Sequence, residues 1–222
     1  MPARVDRARL PARPHLKLET ALWKEGLELV AGIDEAGRGA WAGPVAAAAV
    51  VLPHRPRWLR RRLGEVKDSK RLSPRRRERL WELISTVAVS VGVGCADSVE
   101  VDTLGLMAAT RVAMRRAVVA LDVPPQYLLV DAVNLGSEIE LPQEDMYFGD
   151  SISLSVAAAS IVAKVHRDRL MYALGIKYPG YGFERHKGYG TRAHKAAVTR
   201  LRPTPAHRCS FHPIAALLRA QR

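Results

Sequence analysis

The chain has 222 residues, enough for a compact domain with its own core, and 48% hydrophobic against 26% charged residues exclude a disordered or fibrous protein. Lys and Arg number 35 against 22 Asp and Glu, and the resulting +13 attracts polyanions, nucleic acid before anionic membrane. No apolar run approaches the ~20 residues of a spanning helix, no apolar signal core is present, and Cys95 and Cys209 make neither a disulfide framework nor a zinc spacing, so a soluble, cytoplasmic protein with no membrane partner is expected.

Residues 1–18 are polar and broken by Pro2, Pro11 and Pro14. They are expected to be a loose segment, and the prolines argue against an amphipathic transit helix. Leu27 to Asp34 reads as a strand running into the glycine-rich turn Gly32-Ile33-Asp34-Glu35-Ala36-Gly37-Arg38-Gly39, and Val45 to Leu52 as a second strand. A basic belt occupies Arg60 to Arg79. Within it, Ser73-Pro74 opens a helix whose Leu80, Trp81, Ile84 and Ala88 turn inward. Val87 to Val93 reads as a strand. A helix from Asp97-Ser98 follows, with Leu104, Met107, Met114, Ala117, Val118 and Leu121 on its core face. Pro124-Pro125 ends it, Tyr127 to Asp131 reads as a buried strand, and Ile139 to Leu141 as a short one. Leu154 to Leu174 is the longest helical pattern, with Ala158, Ile161, Val162 and Val165 inward. Helical stretches at Thr191–Leu201 and Ile214–Ala220 close the chain. Without repeats or a dividing linker, these elements predict an α/β layer fold with a mixed sheet.

Four carboxylates stand out by position. Asp34 and Glu35 end the first strand, Asp131 ends a later one, and Asp150 precedes the long helix. Parallel neighbouring strands would bring Asp34 and Asp131 out at one sheet edge, where α/β sheets keep their sites. Acids at the edge of a core need a proton, a partner cation or a metal. Carboxylates without a histidine or thiolate partner favour Mg²⁺ or Mn²⁺. Two such ions about 4 Å apart serve phosphodiester hydrolysis. Taken singly, Asp150 also reads as a helix cap and Asp131 as a turn residue. The spacing alone does not name the reaction.

The Gly32–Gly39 segment, with Gly43-Pro44-Val45 behind it, resembles the opening motif of type 2 ribonuclease H (ribonuclease HII). Further blocks agree in order: Asp68-Ser69-Lys70 with Leu72, Val130-Asp131, and Gly149-Asp150-Ser151 leading into Ala157–Val165 and Arg167-Asp168. Tyr178-Pro179, His186–Thr191 with His194, and His207-Arg208 with Ser210-Phe211 follow, so the resemblance spans roughly residues 27 to 214. It implies an RNase H-like fold over residues 19–222, with a central mixed five-stranded sheet flanked by helices and a helical C-terminal part. It implies cleavage of RNA in RNA–DNA hybrids and at single ribonucleotides in duplex DNA, leaving 3′-hydroxyl and 5′-phosphate ends, and hence a place in ribonucleotide excision repair. By position the metal-binding, catalytic acids are Asp34, Glu35, Asp131 and Asp150. Gly37, Arg38 and Gly39 would meet the minor groove, where the 2′-hydroxyl is displayed. Lys70 would meet a phosphate, and Tyr189 would stack on the sugar at the RNA-to-DNA junction. A monomer is expected; recruitment by a sliding clamp is left open.

Two departures from the family pattern affect the turns: Ala132-Val133-Asn134 where glycine and asparagine are usual, and Ala40-Trp41 in place of proline and an apolar residue. Type 3 ribonuclease H is the nearest rival, disfavoured by Arg38 within the glycine loop and the short lead before Gly32. A basic, non-catalytic nucleic-acid-binding protein is the rival of another class, disfavoured because unmetallated acids repel phosphate.

Overall fold

The computed structural model describes residues 10–67 and 69–219; Asp68 and residues 1–9 and 220–222 lie outside the described residues. In chain order the elements are α1 (Lys17–Lys24), β1 (Val30–Ala36), β2 (Val45–Val51), α2 (Pro56–Arg62), α3 (Pro74–Val87), β3 (Ser90–Ala96), α4 (Ser98–Leu104) and α5 (Leu106–Val119). They continue as β4 (Tyr127–Asp131), β5 (Gln143–Met146), α6 (Gly149–Ile152), α7 (Leu154–Lys177), α8 (Phe183–His186), α9 (Arg192–Leu201) and α10 (His212–Arg219).

The five strands form one sheet in the order β3-β2-β1-β4-β5. β1 is antiparallel to β2 and parallel to β4, and β4 is parallel to β5, so the expected mixed sheet is present. Alternate side chains leave a strand on opposite faces. Val30, Ala36, Ala48, Val50 and Leu129 pack with α1, α3 and α7 on one face. Ala31, Ile33, Ala47, Ala49, Leu128 and Val130 pack with α5 on the other. A third apolar cluster, built from Ala42, Met171, Phe183, Val198 and Ile214, joins the C-terminal helices to the end of α7.

Small residues allow the layers to approach closely. A methyl at Gly32 would lie 2.2 Å from the Ser155 carbonyl carbon of α7, and one at Gly92 would lie 2.0 Å from the Ala117 oxygen of α5. No described helix is long and apolar enough to cross a membrane.

Several boundaries differ from expectation. β1 runs on through Asp34 and Glu35 to Ala36, because its pairing with β2 continues to Ala36↔Ala46. Val87 is the last residue of α3 and not part of a strand, since it repeats the buried side of Leu80 and Ile84. The single helix expected after Asp97 is two, divided at Gly105 (φ +80°), and the division leaves Leu104 and Met107 exposed while Met114 and Ala117 remain in the core. Ile139 and Leu141 pack against the core without forming a strand, and the fifth strand is the polar segment Gln143–Met146. Residues 15–18 of the segment expected to be loose are engaged: His15 bridges to Ser153 and Leu16 is buried at the start of α1.

Candidate metal centre

The register explains why two distant acids meet. Val30–Ile33 pair with Tyr127–Val130 in parallel, so one residue further on Asp34 and Asp131 are neighbours at the same sheet edge. Asp34 falls in the alternation of Val30 and Ala36, and Asp131 in that of Leu129, so both turn toward α7. Oxygens of Asp34, Glu35 and Asp131 lie within 4.8 Å of one another.

Asp150 does not join that mutually close set, although it is buried beside it. The Gly149 N–H at the start of α6 donates to Asp131 Oδ1 at 2.7 Å, which draws the Asp150 turn against β4. Asp150 is thus near enough for its charge to act on both Asp34 and Asp131.

The electrostatics follow from burial and crowding. Burial first, then the charges of Glu35 and Asp131, hold the Asp34 carboxyl well above the usual carboxylate range, with Ser160 donating a hydrogen bond that opposes the rise. Burial pushes Asp131 up to about 7, helped by Glu35 and Asp150 and opposed by the Gly149 N–H. Glu35 is raised by burial against the pull of Arg38, whose Nη1 lies 3.1 Å from Glu35 Oε1. Glu35 Oε2 is buried and has no hydrogen-bond partner. Converging carboxylates, an orphaned oxygen and no thiolate or imidazole in the set fit a hard divalent cation such as Mg²⁺ or Mn²⁺.

Of the residues expected to meet substrate, Arg38 and Lys70 lie near enough for their charges to act on Glu35. Gly37 has φ +97°, the left-handed region open to glycine, and a methyl there would lie 1.9 Å from Arg167 Nε. Nothing lies within 4 Å of a methyl built at Gly39. Arg38 Nη2 reaches Met107 Sδ at 3.3 Å, which accounts for one of the two exposed residues expected in the core. Lys70 is exposed on a 3-10 turn, Ser69–Arg71, and its charge acts on Glu35 and Asp131. Ser69 Oγ and Ser160 Oγ, 3.0 Å apart, tie that turn to α7. Tyr189 is 38% exposed with the Arg167 guanidinium 5.4 Å from its ring centroid.

Two buried arginines hold these loops together, and neither role was legible from charge or spacing. Arg167 donates to the carbonyls of Pro44 at 2.9 Å, Lys187 at 2.9 Å and Ala42 at 3.1 Å. Arg208 donates to Gly43 O and, at 2.8 Å, to Arg38 O. Asp168 takes ion pairs, with Lys164 and with Arg77 at 3.4 Å. The basic belt is partly self-paired, since Arg76 and Arg79 both reach Glu65.

The departures at the turns also have physical outcomes. In the turn after Asp131, Ala132 occupies φ +52°, a left-handed conformation that glycine adopts without strain and alanine only at a cost. Asn134 closes that turn, accepting from Gly136 N–H at 2.8 Å and donating to Asp145 at 2.7 Å. Trp41 covers Gly190, whose added methyl would lie 2.2 Å from the indole, and packs on His194.

With this geometry established, similarity to known proteins is informative. The family model described as Ribonuclease HII matches residues 31–214. The chain is 49% identical over 201 residues to a ribonuclease HII of Pediococcus pentosaceus, covering 90% of this chain and 76% of that one. It is 49% identical over 200 residues to a ribonuclease HII of Thermus thermophilus, covering 89% and 93%. Among solved structures, ribonuclease H2 from Pyrococcus horikoshii superposes with a TM-score of 0.75 at 27% identity, over 86% of this chain and 97% of that one.

Proposed function

The chain belongs to the ribonuclease HII family and is a ribonuclease H with the RNase H-like fold, and from that premise we propose that it is a divalent-cation-dependent endonuclease. Its substrates are the RNA strand of RNA–DNA hybrids and single ribonucleotides embedded in duplex DNA, and its products carry 3′-hydroxyl and 5′-phosphate ends. The observation that carries the reading is the convergence of Asp34, Glu35 and Asp131 within 4.8 Å at the edge where two parallel strands finish. Asp150, the buried acid beside them, is the fourth ligand.

In this reading the four carboxylates hold Mg²⁺ or Mn²⁺, and the bound ions supply water activation and charge stabilisation at the leaving oxygen. The Gly37-Arg38-Gly39 turn lays its backbone in the minor groove. A 2′-hydroxyl is reachable there, and it is the chemical difference between the two strands. Tyr189 stacks on the sugar, and Lys70 neutralises a backbone phosphate beside the cluster. A protein that merely bound nucleic acid would gain nothing from buried, mutually repelling carboxylates, which disfavour a phosphate unless a cation sits between.

The test is a duplex carrying one ribonucleotide, incubated with Mg²⁺, Mn²⁺ or EDTA. Cleavage at the ribonucleotide is read from the product ends, which should be 3′-hydroxyl and 5′-phosphate, and EDTA should abolish it. Asp131→Asn should lower turnover by at least about a thousandfold while hybrid affinity is kept, because a ligand and a repulsive charge leave together. Cutting that survives EDTA, or near-normal turnover by Asp131→Asn, overturns the reading.

A further inference from the structure

Helix α1 contributes nothing to the chemistry above, yet it buries a carboxylate. Glu19 is fully buried, and its Oε1 accepts from Ser153 Oγ at 2.7 Å, Ser155 N–H at 2.9 Å and Ser155 Oγ at 2.8 Å. All three donors belong to the cap and first turn of α7, a helix of 24 residues. A carboxylate suits that place, because the N–H groups of a helix N-terminus are unpaired and the helix dipole favours negative charge there. Its Oε2 has no hydrogen-bond partner, so the grip on α7 is made through one oxygen.

What this grip holds is the turn that carries Asp150. At one end of α6, Gly149 N–H is fixed to Asp131 Oδ1. At the other, the His15 backbone spans the junction with α7, donating to Ile152 O at 2.9 Å and accepting from Leu154 N–H at 3.1 Å. Glu19 fastens the residues on either side of Leu154, Ser153 and Ser155. The four-residue turn therefore hangs between the acid cluster and the α1 segment. Asp150, which stands apart from the three mutually close carboxylates, owes its place to both anchors.

We propose that Glu19 is a positioning residue of the metal centre, acting through Ser153 and Ser155 to set Asp150 against Asp34, Glu35 and Asp131. The inference rests on the reading of Asp150 as a metal ligand. Groups that orient ligands from behind commonly govern metal affinity about tenfold or more without touching the ion.

The test uses the full chain and Mn²⁺ alone, titrated calorimetrically at a temperature where circular dichroism shows each variant folded, followed by Mn²⁺ dependence of cleavage. Glu19→Ala should weaken Mn²⁺ binding about tenfold and raise the Mn²⁺ half-saturation of cleavage alike, with KM for the duplex little changed. Glu19→Gln, which keeps an acceptor oxygen for all three donors, should restore binding to within about twofold of wild type. Should Glu19→Ala not fold, Glu19→Asp retains the charge but draws the carboxylate back by one methylene, and should show the same loss. Wild-type Mn²⁺ affinity in a folded Glu19→Ala or Glu19→Asp overturns the proposal. If Asp150→Asn binds Mn²⁺ as wild type does, the ligand assignment has failed first, and the inference falls with it.

Discussion

Gly37 and Gly39 flank one arginine, and they lack side chains for different reasons. At Gly37 the backbone is left-handed and a methyl would enter the Arg167 guanidinium, which holds three carbonyls of neighbouring loops. At Gly39 the space is open and φ is ordinary, so the fold does not need glycine there. Gly37→Ala should therefore lower stability by about 2 kcal/mol, the combined cost of left-handed strain and overpacking, and lower cleavage with it. Gly39→Ala should melt within about 0.5 kcal/mol of wild type yet cleave the one-ribonucleotide duplex far more slowly. Thermal melts beside cleavage rates separate the two, and undiminished cleavage by Gly39→Ala would remove that residue from the groove. The glycine pattern was legible as a motif, but only packing distinguishes an inward need from an outward one.

Among the elements, the α8–α9 region is held by a chain of histidines with defined proton positions. Thr204 N–H donates to His207 Nδ1 at 2.9 Å, so His207 Nε2 carries the proton given to His194 Nε2 at 3.2 Å, and His194 Nδ1–H donates to Tyr189 O at 3.0 Å. A second proton on either ring would set two donors against each other. Burial accordingly lowers both His194 and His207 to about 4. Because the unfolded rings titrate near 6.5, the unfolded chain binds more protons between pH 6.5 and 4. The neutral pair is intact above pH 6.5, and stability falls as pH drops through that window. Chemical denaturation at pH 7 and pH 5 checks this. His194→Gln and His207→Gln should each flatten the difference, and an unchanged pH dependence in both would refute it.

Elements were legible where punctuation and burial agreed. Tyr127–Asp131 follows Pro124-Pro125 and is apolar up to its terminal acid, and Ser73 caps α3 by accepting from Arg76 N–H as its Ser-Pro signature implies. β5 was not legible, because an edge strand reading Gln143-Glu144-Asp145-Met146 carries no apolar alternation and is specified by its pairing with β4. α1 was missed for a related reason: its merit lies in Glu19, a residue that charge alone assigns to solvent.

For the whole molecule, the +13 charge surrounds a centre made of buried acids. Affinity for nucleic acid then comes from the periphery, by release of counterions, while the centre repels phosphate until a cation binds. The apparent Kd for a hybrid, measured with the Asp131→Asn protein between about 50 and 200 mM salt, should rise steeply and log-linearly. A flat response would place binding in base or sugar contacts alone. The acids themselves were legible as strand and turn termini. Their convergence depended on β1 and β4 being parallel neighbours, which no local pattern encodes.

β2 lies between β3 and β1 in the sheet, and its seven residues are all buried, four of them the consecutive alanines Ala46–Ala49. Helices α5 and α7 rest on its two faces, and Ala48 sits opposite Asp34 in the ladder. A middle built from such short side chains has no slack to absorb growth: one more carbon along this strand would have to lever a helix outward, carrying Ser160 and the Asp150 turn with it. Enlarging any of Ala46–Ala49 should therefore cost about 1–3 kcal/mol of stability in thermal melts, and a variant melting like wild type would show room that this packing does not have.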